Sequence, residues 1–258
     1  MNYEKHKVLF IVKTYPSPSK TYDELVCTIA VTEDGRLIRI YPVPFRYMDK
    51  NKQFKKYEWT NLKIVKSDSD QRRESYKVDY DSIEPSGILV KHWPQRMELV
   101  KPFLYSSLAE LNKKGMSLGI IKPSKIYDLT YEEDDEEWQE KQALQLFQQN
   151  IDDILNERDK IPLTKIPYRF RYHFSDGEEH HIVIRDWELF ALFLRYYKKE
   201  GKVKAAEIVK DKFLNEICNE KNDVYFIVGT QHRFKTWLIL GVMYPPKGIP
   251  MLSIEDFL

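Results

Sequence analysis

The sequence is poor in the residues that usually announce a reaction. It has two cysteines, Cys27 and Cys218, far apart and each in apolar surroundings, the usage of free buried thiols in a reducing compartment. No Cys-x-x-Cys or His-Glu-x-x-His spacing occurs, so the chain carries no zinc signature and no metal is expected. Only nine glycines are present. None forms the dinucleotide fingerprint, the Gly-x-x-x-x-Gly-Lys phosphate loop or the Gly-x-Ser-x-Gly elbow, and no cofactor is implied. A nuclease pattern of Asp followed by Glu-x-Lys on a strand is also missing. Apolar runs such as Val224–Val228 and Trp237–Val242 fall far short of the ~20 residues of a membrane helix, and the N-terminus runs straight into a strand without signal-peptide shape. A cytoplasmic protein without a membrane partner is expected.

Bulk charge is lacking too, with 41 basic residues against 40 acidic ones. The balance is a cancellation. Residues 1–130 are basic, residues 131–160 are strongly acidic, and residues 161–258 are again slightly basic. The acidic block opens with Glu132-Glu-Asp-Asp-Glu-Glu137 and continues as a helix-like Trp138–Asn150. It divides the chain into a β-rich basic half (1–130), an acidic linker and helix (131–160) and an α+β half (161–258) that can share one core with the first. Segment 132–137 is also a surface for a protein partner, or a cover for basic groups of the same chain.

What the chain has in excess is aromatics, 14% of residues, with 17 Tyr, 13 Phe and 5 Trp. Its length of 258 residues allows one or two domains with a sizeable core. The pattern predicts an α+β fold: a small antiparallel sheet or barrel in the N-terminal half, then a β-hairpin, a helix pair and a final strand pair. Lys7–Lys13 reads as a strand closed by Pro16 and Pro18. Leu25–Thr32 and Leu37–Tyr41 flank Asp34-Gly35 as a hairpin, with Pro42 and Pro44 ending the second strand. Tyr57–Val65 is a further strand, and Phe103–Lys114 a helix stopped by Gly115.

In the second half, Tyr168–Phe174 alternates aromatic with basic residues. Keeping Ile182 and Ile184 on the aromatic face requires a three-residue loop, Asp176–Glu178. That register sets Tyr172 opposite Ile182, His173 opposite His181 and Arg169 opposite Arg185. Asp186 is suited to cap a helix reaching about Lys199, Gly201 to stop it, and Lys204–Glu216 to form a second helix. Val224–Val228 and Trp237–Val242 read as strands covered on both faces.

Four places offer chemistry. The loop from Lys13 through Tyr15, Lys20, Tyr22 and Glu24 mixes hydroxyls and cations between apolar strands, a composition that suits phosphate. On the next strand Arg39 and Tyr41 share a face, and with Arg46, and Arg73 in the similar Gln71–Tyr76 segment, they form a platform for stacking and phosphate contact. The third is the cationic strand face of Arg169, Arg171, His173, His181 and Arg185. The fourth is the connection Gly229–Thr236, with Gln231, His232, Arg233 and Lys235 held between two buried strands.

These residue types are those that stack on bases and hold phosphates. The leading expectation is therefore a nucleic-acid-binding protein, in genome maintenance or defence against foreign DNA. The alternatives are an enzyme acting on a nucleotide or nucleic-acid base, with His232 as acid or base and Arg233 and Glu24 beside it, and an interaction subunit without chemistry of its own. Convergence separates the first two. If the loop after Pro16 and the loop after Gly229 meet in one concave pocket, catalysis gains; cations spread along a groove favour binding.

Overall fold

A computed structural model describes residues 2–18, 24–134, 163–231 and 235–248. Thirteen strands are described: β1 Glu4–Lys13, β2 Ser17–Pro18, β3 Glu24–Thr32, β4 Leu37–Val43, β5 Glu58–Lys66, β6 Ser75–Leu89, β7 Leu104–Tyr105, β8 Leu118–Ile121, β9 Lys125–Glu133, β10 Tyr168–Ser175, β11 Glu179–Val183, β12 Tyr225–Thr230 and β13 Trp237–Met243. The helices are α1 Trp93–Val100, α2 Leu108–Lys113 and α3 Trp187–Lys210. The mixed α+β architecture agrees with the sequence pattern. No helix among the described residues is long and apolar enough to cross a membrane.

The first half closes into a five-stranded barrel. Strand β1 pairs with both β3 and β5, and the ring runs β1-β3-β4-β6-β5. All ring pairings are antiparallel except β4 with β6. The apolar run Val8–Val12 is buried throughout because β1 is covered on both faces. Val8 and Phe10 enter the barrel core with Ile38, Ile40, Phe45 and Phe54, and the Phe10 and Phe54 rings stack 3.5 Å apart. Leu9, Ile11 and Ile29 face outward into a second core shared with Leu118, Ile120, Ile227 and Leu240 of the other half.

One expectation fails on this barrel. Pro42 does not end β4, which continues to Val43. The β3–β4 register shifts between Val26 and Thr28, so Pro42 falls at an irregularity where no ladder donor is needed. Phe103–Lys114 is likewise not one helix. Leu104 and Tyr105 pair in parallel with Ile120 and Ile121, and α2 begins only after Ser107, whose hydroxyl accepts from Glu110 N at 3.1 Å.

The second half has two sheets, ordered β11-β10-β9 and β13-β12-β8-β7. Tyr172 lies opposite Ile182 and His173 opposite His181, the register required by the aromatic face. Tyr168, Phe170, Tyr172 and Phe174 are buried against Phe190, Phe193 and Val209 of α3. Asp186 caps α3 through Oδ1, which accepts from Glu188 N at 2.7 Å, while Oδ2 accepts from Val242 N at 3.1 Å. Gly201, at φ 78°, breaks the helical path within α3, and a π-helical turn, Asp211–Glu216, ends the second segment.

Candidate functional site

The sequence-selected residues divide into two groups once their partners are seen. The cationic face of β10 is neutralised by its surroundings. Arg169 pairs with Asp134 at 3.2 Å, Arg171 lies 3.5 Å from Glu132, and His173 lies 3.4 Å from Glu179 and stacks on His181. Strand β9 brings the first acidic residues of the run alongside β10, where Arg169 lies directly opposite Glu132. Residues 135–137 lie outside the described residues.

The second group meets at the junction of the two halves. A cavity of about 260 Å³ is lined by Thr14, Tyr15, Ser17, Cys27, Arg39, Tyr41, Arg72, Arg185, Thr230, Gln231, Leu238 and Leu240. The segment after Pro16 and the segment after Gly229 therefore do converge. Three arginines and no carboxylate appear in this lining. Strands β3 and β4 supply the floor: alternation turns Ile38 and Ile40 into the barrel and leaves Arg39 and Tyr41 facing out.

Arg39 is 4% exposed. Its Nη1 donates to Thr230 O at 3.0 Å, its Nη2 donates to Ser117 O at 3.1 Å, and Glu74 lies 3.7 Å away. Its buried Nε has no acceptor among the described residues. Gly229 makes this approach feasible, since a Cβ there would lie 2.8 Å from Arg39 Nη2 and 2.7 Å from Leu240 Cδ1. Arg72 meets the same carbonyl: its Nη1 donates to Thr230 O while Nε and Nη2 grip Asp70 at 2.9 and 2.5 Å. Burial alone would raise the Asp70 carboxyl, but hydrogen bonds from Arg72 and Ser75 outweigh it and hold the group well below the usual carboxylate range.

Arg185 differs from these two. It reaches solvent, and among the described residues no hydrogen bond or ion pair holds its guanidinium, although burial and the neighbouring Arg169 lower its pKa against the pull of Asp134. Its backbone is fixed, because Arg185 N donates to Ile239 O at 2.8 Å and Arg185 O accepts from Tyr15 N at 2.9 Å. Tyr15 donates its hydroxyl to Thr164 O at 2.7 Å and packs its ring 5.1 Å from Phe190, so it is a rigid wall. Tyr41, 40% exposed, is the accessible aromatic edge. Burial pushes the Cys27 thiol up against the opposing pull of Arg39 and Arg72, which keeps it protonated at neutral pH.

Two larger hollows adjoin. One of about 530 Å³ is lined by Asp70–Glu74, Asn112, Ser117, Thr230, Gln231 and Lys235 among others, and one of about 450 Å³ by Arg171, His181, Asn112 and Lys235. Arg73 and Lys235 thus reach the same region. Lys13 does not. Its Nζ sits 3.9 Å from the Phe45 ring centroid, and burial lowers its pKa to about 8 despite Glu188 nearby. Arg46, Arg169 and His173 also stay away from these cavities. Lys20, Tyr22, His232 and Arg233 lie outside the described residues, as does the Glu24 side chain.

Sequence reasoning missed Arg72, Asp70, Ser117 and Cys27 as site residues. Arg72 stood beside Arg73 in a segment already singled out, but Ser117 has no local signal at all. It reaches the site because β8 pairs with β12 and places Leu118 opposite Gly229.

A family described as a domain of unknown function, DUF8757, matches residues 105–257. The chain belongs to the DUF8757 family. A second family, the domain of unknown function DUF8758, matches residues 4–102. No curated protein matches the chain. The DUF8758 segment supplies Tyr15, Cys27, Arg39, Tyr41 and Arg72 to the cavity, and the DUF8757 segment supplies Arg185, Thr230 and Gln231. Neither segment forms the pocket alone.

Proposed function

We propose that the protein binds nucleic acid by taking a nucleotide unit into the 260 Å³ cavity. The observation that carries this reading is where the barrel places the cavity. The ring order β1-β3-β4-β6-β5, with its third and fifth strands parallel, is the order of an oligonucleotide-binding (OB) barrel. Such barrels take oligonucleotides or oligosaccharides on their second and third strands and on the loops joining strands one to two and four to five. Here those strands are β3 and β4, carrying Cys27, Arg39 and Tyr41. The first loop brings Thr14, Tyr15 and Ser17, and the other brings Arg72. Architecture by itself is an analogy, so the side chains must carry the chemistry. They support it: Tyr41 offers a stacking surface, Arg185 a phosphate contact, and the lining holds no carboxylate to repel an anion.

Fluorescence anisotropy with labelled single-stranded DNA and RNA at low salt tests the reading. Binding is expected to weaken as salt rises, and Arg185→Ala to weaken it about tenfold and lower the salt slope by about one. No binding to either polymer at low salt overturns it. The convergence of the two loops also favours a second reading, an enzyme acting on the bound base or phosphate. Its check is chromatography of nucleotides and oligonucleotides after incubation with the protein; an unchanged profile across all of them leaves a binding protein only.

A further inference from the structure

The 260 Å³ and 530 Å³ cavities share a wall, since Arg72, Thr230 and Gln231 line both. This wall is fixed from both halves of the chain. Arg72 is anchored on Asp70, the Thr230 carbonyl accepts from Arg72 and Arg39 together, and Gln231 N donates to Thr236 O at 2.9 Å. An undivided barrel face would let a strand lie along one groove. Here Thr230 and Gln231, at and just beyond the end of β12, lie between the two hollows.

The two compartments differ in chemistry. The smaller has tyrosine and leucine walls, with Tyr41 at its accessible edge. The larger carries more polar side chains, among them Gln71, Arg73, Asn112 and Lys235. Its two carboxylates are already occupied, Asp70 by Arg72 and Glu74 by the Ser117 hydroxyl. Arg73 and Lys235 are exposed, and among the described residues no hydrogen bond or ion pair engages their side chains. The smaller compartment, with its tyrosines, leucines and Arg185, suits a base and its own phosphate, and the larger, with two uncommitted cations, suits the phosphate bridge and the unit beyond it.

We infer that the site takes a phosphate-bridged pair of nucleosides. One base enters the smaller compartment, the bridge crosses the Gln231 wall, and the next unit lies against Arg73 and Lys235. This inference rests on the nucleotide-binding reading above and adds its minimal ligand. A phosphodiester within a strand and a pyrophosphate-linked dinucleoside share this chemistry.

Calorimetric titration of the whole chain with nucleosides, mononucleotides, dinucleotides and decanucleotides of each base tests it, with a pyrophosphate-linked dinucleoside as a separate arm. A bridged pair is expected to bind at least tenfold tighter than a mononucleotide, and the decanucleotide only a few-fold tighter again. The better of the two bridged ligands identifies strand or free dinucleotide as the source. The double variant Arg73→Ala, Lys235→Ala is expected to remove the bridged-pair advantage and leave mononucleotide affinity unchanged, with circular dichroism confirming the fold. Equal affinity for one and two units overturns the inference, as does an advantage that survives the double variant; in both cases the nucleotide-binding reading stands. If no probe binds, decanucleotides included, that reading falls as well.

Discussion

The face of β10 and the cavity at the barrel junction hold similar numbers of basic residues and differ in how fully those residues are paired. On β10 each basic side chain faces a carboxylate: Asp134 at Arg169, Glu132 at Arg171 and Glu179 at His173. At the cavity Arg72 is gripped by Asp70, Arg39 is held by two backbone carbonyls with Glu74 3.7 Å away, and Arg185, drawn electrostatically toward Asp134, makes no side-chain hydrogen bond or ion pair among the described residues. A carbonyl satisfies a guanidinium's hydrogen bonds without cancelling its charge. The strand that looks most cationic in the sequence therefore leaves fewer uncommitted basic groups than the cavity, which keeps Arg185. The positive site is assembled from arginines that lie far apart in the chain.

The comparison breaks most visibly at Arg39. Arg39→Ala removes the donors to two carbonyls and strands Glu74 beside them, and a loss of about 3–5 kcal/mol in urea unfolding is expected. Asp186→Ala deletes a helix cap and the acceptor for Val242 N, for about 2–4 kcal/mol. Burial raises the Asp186 pKa to about 6, above its ordinary 3.8. Its contribution to stability is therefore complete below about pH 4 and lost as pH rises through about 6. Unfolding free energies of wild type and Asp186→Asn measured from pH 4 to 7 are expected to show that decline in the wild type alone.

Gly229→Ala sharpens the contrast from the other side. The new methyl would press on Arg39 Nη2 and Leu240, at about 1–3 kcal/mol, and weaken ligand binding more than any change on β10. The smallest effect is expected at Arg169→Ala. Its pair with Asp134 is partly exposed, so about 0.2–1 kcal/mol is at stake, with no change in the salt dependence of binding. A large binding defect in that variant would reverse the comparison.

The fold was legible wherever one face of an element had to be buried. The aromatic alternation of Tyr168–Phe174 forced the hairpin register, because a slip by one residue would turn four aromatics to solvent. Asp186 and Gly201 marked the helix for similarly local reasons. Barrel closure was not legible, since it depends on β1 pairing with β5 across about fifty residues of sequence. The site was legible in part. Alternation placed Arg39 and Tyr41 on one face, but nothing local showed that Arg39 would be roofed by Thr230 and Ser117. The charge blocks did suggest that the acidic run could cover basic groups of the chain, and Glu132 and Asp134 do so at β10. Lys13 shows the opposite limit: a cation beside a promising loop is drawn instead into a cage of Phe45, Phe54 and Trp187.

The clasp at the Thr230 carbonyl also bears on how this gene can be cut or shuffled. The two family segments meet between residues 102 and 105, where a recombination breakpoint would look harmless. A barrel severed there would keep Arg39 without its acceptors and would bare Leu9, Ile11 and Ile29 to water. Each piece is expected to need the other to cover this shared core. Expressed as two polypeptides split at that point, the fragments should be insoluble apart and reassemble when mixed, which would make the junction a ready-made complementation reporter.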